Sequence, residues 1–207
     1  MVDNVVGICS TDSRGDWKRN AVVALDEPAA DPQELRRAFA CFPSGVAAVC
    51  ALVDGVPDGM AASSFTSVSL DPPLVSVCVQ NTSSTWPRLR NRDRLGVSLL
   101  AESQDVTCRT LAAKTGDRFA GVDWSATPEG AVLVCGATAW LDCSVDDELP
   151  AGDHTIVLLR IHGLRAEPDV APLVFHGSRF RRLRALWPVG SMPSDAAEAW
   201  SDWYCHR

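Results

Sequence analysis

Three stretches of this 207-residue chain carry more chemistry than packing alone requires. Gly59-Met60-Ala61-Ala62-Ser63-Ser64-Phe65-Thr66-Ser67-Val68-Ser69 crowds small and hydroxyl side chains into a strand-like run. Small side chains let a flat ligand approach the main chain, whose N–H and C=O groups can then pair with its edge. An edge strand with a polar solvent face accounts for the same composition equally well. Asn81-Thr82-Ser83-Ser84 leads into a possible helix. Hydroxyls and backbone N–H groups at a helix start can hold a phosphate without any lysine, although a plain capping loop is the simpler account of those residues taken alone. Gly152-Asp153-His154-Thr155 comes just before a strand. Its glycine frees the turn, and its histidine can point at a bound nucleotide or stand as a solvated bystander. Asp117-Arg118-Phe119-Ala120-Gly121 reads by itself as a surface-packing loop.

The elements that would hold these stretches are short. Asp31 can cap a helix whose first turn takes Pro32, with Leu35, Ala38, Phe39 and Phe42 at three-and-four spacing. Residues 46–53 are strand-like, 54–59 form a turn, and a second strand-like stretch runs to Leu70. After Asp71-Pro72-Pro73 a short apolar strand covers 74–79. A helix fits residues 84–92, with Pro87 confining its start. Residues 95–100 form a strand, and 102–114 a second helix with Val106, Leu111 and Ala112 inward. Further strands fall at 132–143, 155–161 and 173–175. Many short strands with few helices favour a closed or sandwiched sheet over a doubly wound fold.

Composition removes several classes of function. A net charge of −7 leaves no basic stripe for a phosphate backbone, so nucleic acid is excluded as a partner. The longest uncharged apolar stretches, 45–53 and 130–141, fall short of the ~18 residues that span a membrane. The first twenty residues are charged and hold no apolar block, so a soluble, cytoplasmic protein is expected. No two of the eight cysteines have zinc-knuckle spacing, and Cys50, Cys78, Cys135 and Cys143 sit in apolar runs as expected core thiols. The four histidines are scattered, and neither a dinucleotide fingerprint, a phosphate-loop lysine nor a nucleophile elbow is present.

Taken in order, the segments resemble the flavin reductase-like family, the small reductase components of two-component flavin monooxygenases. The resemblance is carried by Phe42-Pro43-Ser44-Gly45-Val46, by the hydroxyl-rich run from Gly59 on into Asp71-Pro72-Pro73-Leu74-Val75, and by Ser83-Ser84. It continues through Asp117-Arg118-Phe119-Ala120-Gly121-Val122-Asp123-Trp124, Gly152-Asp153-His154-Thr155 and Pro172-Leu173-Val174-Phe175-His176-Gly177. It implies a mainly β protein with a few helices, an FMN-binding split β-barrel over residues 31–186, flanked by a flexible arm (1–30) and a tail (187–207). It also implies a homodimer with the flavin near the subunit interface.

By the same resemblance, Ala61, Ala62, Ser63, Ser64, Phe65, Ser67 and Val68 hold the isoalloxazine and ribityl chain. Thr82, Ser83 and Ser84 take the flavin phosphate. Gly152, Asp153, His154 and Thr155 line the nicotinamide side, with His154 the expected catalytic residue, and Lys114 and Phe119 lie by the flavin. Leu111-Ala112 stands where many relatives carry Phe-Ala, and Phe180 where a tyrosine is common. The implied activity is NAD(P)H:flavin oxidoreductase, with hydride passing from NADH or NADPH to FMN or FAD and no metal. The reduced flavin then goes to a separate oxygenase. Two rivals share these residues: a carrier or sensor that holds flavin without turnover, and a flavoenzyme that keeps its flavin and reduces another substrate.

Overall fold

The computed structural model describes residues 31–184, so the expected arm and tail lie outside the described residues. The chain divides into two compact units with the boundary between Phe42 and Pro43. The described part of the first is helix α1 (Pro32–Phe39), where Asp31 caps by accepting from the Gln33 N–H at 2.9 Å and Pro32 opens the first turn. None of its residues is buried, and Phe42 lies beyond its end.

The second unit is built on one antiparallel sheet. Its strands are β2 (Ala47–Val53), β3 (Val56–Ala62), β4 (Thr66–Leu70), β5 (Pro73–Gln80), β6 (Leu95–Leu99), β9 (Ala139–Ala151) and β10 (His154–Ala166). They lie in the order β3-β2-β6-β9-β10-β5-β4. The two edges, β3 and β4, are consecutive in the chain and joined only by Ser63-Ser64-Phe65. A three-residue link cannot reach across a flat seven-stranded sheet whose strands lie ~4.8 Å apart, so the sheet curls on itself. Ser64 is the stitch: its Oγ accepts from the Cys78 N–H at 2.8 Å and donates to the Cys78 carbonyl at 3.1 Å.

Two cores follow from this closure. Ala47, Val49, Ala51, Val75, Val77, Val79, Leu95, Val97, Val157 and Leu159 fill the barrel. Val46, Ala48 and Cys50 face the other way onto Leu100, Cys108, Leu111, Val132, Val134 and Leu173. Burial on both faces explains why residues 46–51 read as an unbroken apolar run rather than an alternating one. The outer core is roofed by α3 (Asp105–Leu111) and the hairpin of β7 (Trp124–Ala126) with β8 (Val132–Val134). A small sheet of β1 (Ser44–Gly45), β11 (Val174–His176) and β12 (Arg179–Arg181) lies beside them. At Gly96 a Cβ would stand 2.0 Å from the Val132 carbonyl oxygen, so only glycine lets β8 lie across β6.

Several expected boundaries move, each for a local reason. The 54–59 turn contracts to Asp54-Gly55, both at positive φ (53° and 81°), which is a two-residue hairpin turn, and β3 starts at once. The helix expected over 84–92 shrinks to α2 (Trp86–Leu89). The second helix begins as a 3₁₀ turn at Glu102–Gln104 and ends at Leu111. Its phase places Cys108 and Leu111 inward and leaves Val106 and Ala112 exposed. The run 132–143 breaks between Val134 and Ala139, where Gly136 takes a φ of 77°. Of the four expected core thiols, Cys50 and Cys143 are buried while Cys78 and Cys135 are exposed. In β5 the inward positions are Val75, Val77 and Val79, so Cys78 must point out.

Candidate functional site

A cleft of about 700 Å³ opens where β3 reaches the Ser63-Ser64-Phe65 link. One wall is Met60, Ala61, Ala62, Ser63 and Ser64. The facing wall is Cys78, Val79 and Gln80 at the end of β5, followed by Thr82, Ser83, Ser84 and Thr85. Leu111, Ala112, Lys114 and Arg118 close one side, and His154 at the start of β10 stands at the rim. Because β3 is a sheet edge, alternate N–H and C=O groups along it have no strand partner. Small side chains on such an edge, as at Ala61 and Ala62, leave those groups open to a planar heteroaromatic ligand.

The loop after β5 is held in three ways. Ser83 donates its N–H to the Gln80 carbonyl (2.9 Å), and its Oγ accepts from the Trp86 N–H (3.2 Å), capping the short helix α2. Trp86 Nε1 in turn donates to Glu148 (2.6 Å), anchoring that helix to β9. Asn81 ties the loop to the turn at Gly152. Its N–H donates to the Asp153 carbonyl (3.0 Å), its Nδ2 to the Gly152 carbonyl (3.1 Å), and its Oδ1 accepts from Thr155 Oγ1 (3.0 Å). Gly152 takes a φ of 65°, which makes that turn glycine-dependent. His154 is half-buried, with Nδ1 2.7 Å from Asp153 Oδ1.

Arg118 spans the other side of the cleft. Its Nε donates to the Ala113 carbonyl (2.8 Å), and its Nη1 donates to the Gly59 carbonyl (3.2 Å) and to Thr85 Oγ1. It thereby pins the loop bearing Lys114 against β3 and the start of α2. Arg88 pairs with Asp58 through Nε at 2.5 Å, and that hydrogen bond raises its pKa further above the ordinary guanidinium range. The thiols of the two cores are inert by comparison. Burial pushes Cys50 and Cys143 up to about 12, and raises Cys108 as well.

Of the residues expected at the site, Ala61, Ala62, Ser63, Ser64, Thr82, Ser83, Ser84, Lys114 and His154 meet in this one cleft. Others do not line it. Phe65 packs against the barrel core, and Ser67 and Val68 stand exposed on β4, where a bulge interrupts the pairing with β5. Phe119 lines a neighbouring pocket, Gly152 and Asp153 form the exposed turn, and Thr155 is engaged by Asn81. Sequence reasoning missed Arg118, Gln80 and Cys78 as lining residues and Asn81 as a tie. Arg118 lay in plain view inside Asp117-Arg118-Phe119, but its partners are 59 and 33 positions away. Among the described residues, no group of three or more His, Cys, Asp or Glu could hold a metal ion, and no helix is long and apolar enough to cross a membrane.

Comparison with known proteins agrees with this geometry. The flavin reductase like domain family matches residues 39–184. The chain is 34% identical over 157 residues to the flavin-dependent monooxygenase reductase subunit HsaB of Rhodococcus jostii, covering 76% of this chain and 80% of that protein. It is 37% identical over 159 residues to a flavin reductase of Pseudomonas putida, covering 76% and 94%. Among solved structures, the NADH:FAD oxidoreductase SgcE6 of Streptomyces globisporus, in complex with NAD and FAD fragments, superposes with a TM-score of 0.71 at 38% identity. That match covers 78% of this chain and 100% of the other. The matched stretch contains the curled sheet, the small-residue edge and the hydroxyl loop beside it, and the chain belongs to the flavin reductase-like family.

Proposed function

We propose that the protein is an NAD(P)H:flavin oxidoreductase that passes a hydride from NADH or NADPH to FMN or FAD and releases the reduced flavin to a separate monooxygenase. The observation that carries this reading is the single cleft joining the open edge of β3, the hydroxyl loop 82–84 with Lys114, and His154. Its volume lies within the ~300–1,000 Å³ of small-molecule sites. Small side chains on one wall, hydroxyls and an ammonium at one end, and few titratable groups fit a planar ring carrying a phosphorylated chain. Support for the oxygenase partner comes from relatives named as reductase subunits of flavin-dependent monooxygenases.

When bound, flavin and nicotinamide supply the hydride chemistry, and the chain supplies position and electrostatics. Ala61 and Ala62 leave room for two stacked rings to approach to ~3–3.5 Å. Open N–H groups on the β3 edge would offer donors to the negative charge that a bound flavin gathers on reduction. Thr82, Ser83 and Ser84 with Lys114 hold the flavin phosphate. His154, fixed by Asp153, keeps Nε2 for the nicotinamide end and orients it without exchanging a proton. Arg118 is a positioning residue, since its bonds go to Gly59, Thr85 and Ala113.

A homodimer and a cytoplasmic location complete the reading. Val68 and Leu70 on the β4 edge are 49% and 86% exposed, an apolar strip that a second copy would cover, bringing Ser67 and Val68 to a flavin near the interface. The test is NADH oxidation by purified protein with and without FMN or FAD. Oxidation that depends on added flavin is expected, and His154→Ala should lower the NADH rate by up to about tenfold, the size of one lost positioning hydrogen bond, while flavin still binds. A protein that binds flavin but leaves both NADH and NADPH untouched would overturn the reductase reading in favour of a carrier.

A further inference from the structure

A pocket of about 680 Å³ adjoins the cleft where Ala61, Ala62 and Ser63 form its wall, and shares those residues with it. Val46, Phe175 and Phe180 give it an apolar lining, with the two phenyl rings packed edge to face at 5.6 Å between centroids. Arg109 lies over the Phe180 ring, 5.0 Å from its centroid. Its Nε stands 3.7 Å from Asp105, the one carboxylate of the lining. Arg179 also lines the pocket, and its guanidinium takes part in no hydrogen bond or ion pair among the described residues. Aromatic walls with two guanidinium groups against one carboxylate suit an occupant that brings aromatic rings and negative charge together.

The chain itself carries such a segment, and leads it out beside this pocket. Strand β12 contributes Arg179 and Phe180 to the lining and ends at Arg181. Arg182 then pairs with Glu102 at 2.9 Å, which holds the exit next to the start of α3, the helix of Asp105 and Arg109. The described residues stop at Arg184, and residues 185–207 lie beyond the stretch the family shares. Within them, residues 195–203 hold Asp195, Glu198 and Asp202 with Trp200 and Trp203 and no basic residue. The 11 residues from Arg184 to Asp195 can extend ~36 Å, so reach does not limit a return to the pocket. Residues 1–30, by contrast, mix their acids with Arg14, Lys18 and Arg19 around a single tryptophan, Trp17. We propose that this pocket is the docking site of the chain's own C-terminal segment 195–203, with indoles on Phe175 and Phe180 and carboxylates towards Arg109 and Arg179. A tether this short supplies an effective concentration on the order of millimolar, so a weak local affinity is enough to fill the pocket. The docked segment abuts the flavin cleft without entering it, and docking stands apart from the reductase activity.

The experiment is photo-crosslinking of the full chain with p-benzoylphenylalanine in place of Trp200, at low ionic strength, the adducts being mapped by peptide mass spectrometry. Most adducts should lie within one chain and fall on Phe175, Phe180 and their neighbours in the pocket lining. Arg179→Glu should lower their yield about threefold, the size of one exposed charge reversed. Phe180→Ala should lower it about fivefold, the size of one lost aromatic pair. Arg179 is exposed, so the first variant decides the matter should Phe180→Ala unfold. Saturating FMN should leave the pattern unchanged, because it occupies the adjoining cleft. Adducts scattered over the surface, or a yield unchanged by Arg179→Glu, would overturn the docking site. Adducts that FMN abolishes would place the segment in the cleft instead, and adducts joining two chains would make a second copy the occupant; either result overturns the proposal. None of these readings uses turnover, so they hold whether or not NADH is oxidised.

Discussion

Asn81 joins the loop that takes the phosphate to the turn that carries His154, so its side chain should couple flavin seating to nicotinamide placement. Asn81→Ala deletes two hydrogen bonds, to the Gly152 carbonyl (3.1 Å) and from Thr155 Oγ1 (3.0 Å), and leaves the backbone bond to Asp153 in place. Each is worth ~0.5–1.5 kcal/mol net. Both partners are solvent-accessible and can turn to water, so the pair together costs about 1–2 kcal/mol. At 1.4 kcal/mol per factor of ten, molecules with the turn displaced become roughly 5–30-fold more common. Stopped-flow reduction at saturating flavin should show the NADH kcat/KM falling by up to that factor. Flavin affinity should fall less, because Ser83 still bonds Gln80. The decisive reading is a double-mutant cycle with His154→Ala. If Asn81 acts by placing His154, the second loss is largely absent once His154 has gone. Two full and additive losses, or an unchanged kcat/KM in the single variant, would refute the coupling.

Two further outcomes follow from the same geometry. Replacing Ser83 and Ser84 together with alanine should weaken FMN by about tenfold and riboflavin by less than about twofold, since only FMN offers a phosphate to those hydroxyls. Equal weakening, measured by fluorescence quenching, would mean that the Ser83 cap on Trp86 is the whole of its role. The second concerns alkali. Cys50 and Cys143 ionise at about 12 in the folded protein against 9.0 for an open thiol. Above pH 9 the unfolded chain therefore releases protons that the folded chain keeps. Stability should be fully present below pH 9 and decline by about 1.4 kcal/mol per pH unit for each thiol as pH rises towards 12. Denaturant melts of wild type and Cys143→Ala across that window check the slope, and an identical pH profile in the two would sink the assignment.

Which residues gather at one cleft was more legible in the sequence than the limits of the strands that carry them. Residue type at 61–64 and 82–84 fitted a polar edge strand and a capping loop as well as a ligand site, and it was the resemblance to the flavin reductase-like family that singled these residues out; the structure brings both segments into one cleft. The expected turn at 54–59 misled at its far end. Gly59 looks like a turn residue, yet it sits inside β3 because a Cβ there would stand 2.4 Å from Cys50 Sγ. Local sequence cannot separate a glycine kept for its φ from one kept for a neighbour's bulk. Apolar runs likewise left parity open: Cys78 sits among valines but points outward, and the first-versus-second-face choice is made by β10 pairing on one side of β5. Arg118 and Asn81 were illegible because their work is done between segments tens of residues apart.

Closure of the barrel and creation of the site are one event. The sheet's two edges meet where the Ser64 hydroxyl takes the place of the strand partner that β5 lacks at Cys78, beyond the end of its pairing with β4. A continuous ladder between β3 and β5 would satisfy more backbone groups and would leave no free edge for a ring to lie against. The three-residue link instead ends the pairing early, so donors and acceptors of β3 stay open immediately beside the loop of hydroxyls. Hydride transfer demands little of protein acids and bases, so the fold can afford a cleft whose working groups are mostly main chain. It follows that substitutions enlarging Ala61 or Ala62 should harm turnover more than any change that merely removes a hydroxyl from Ser63, since they occupy the space the rings need.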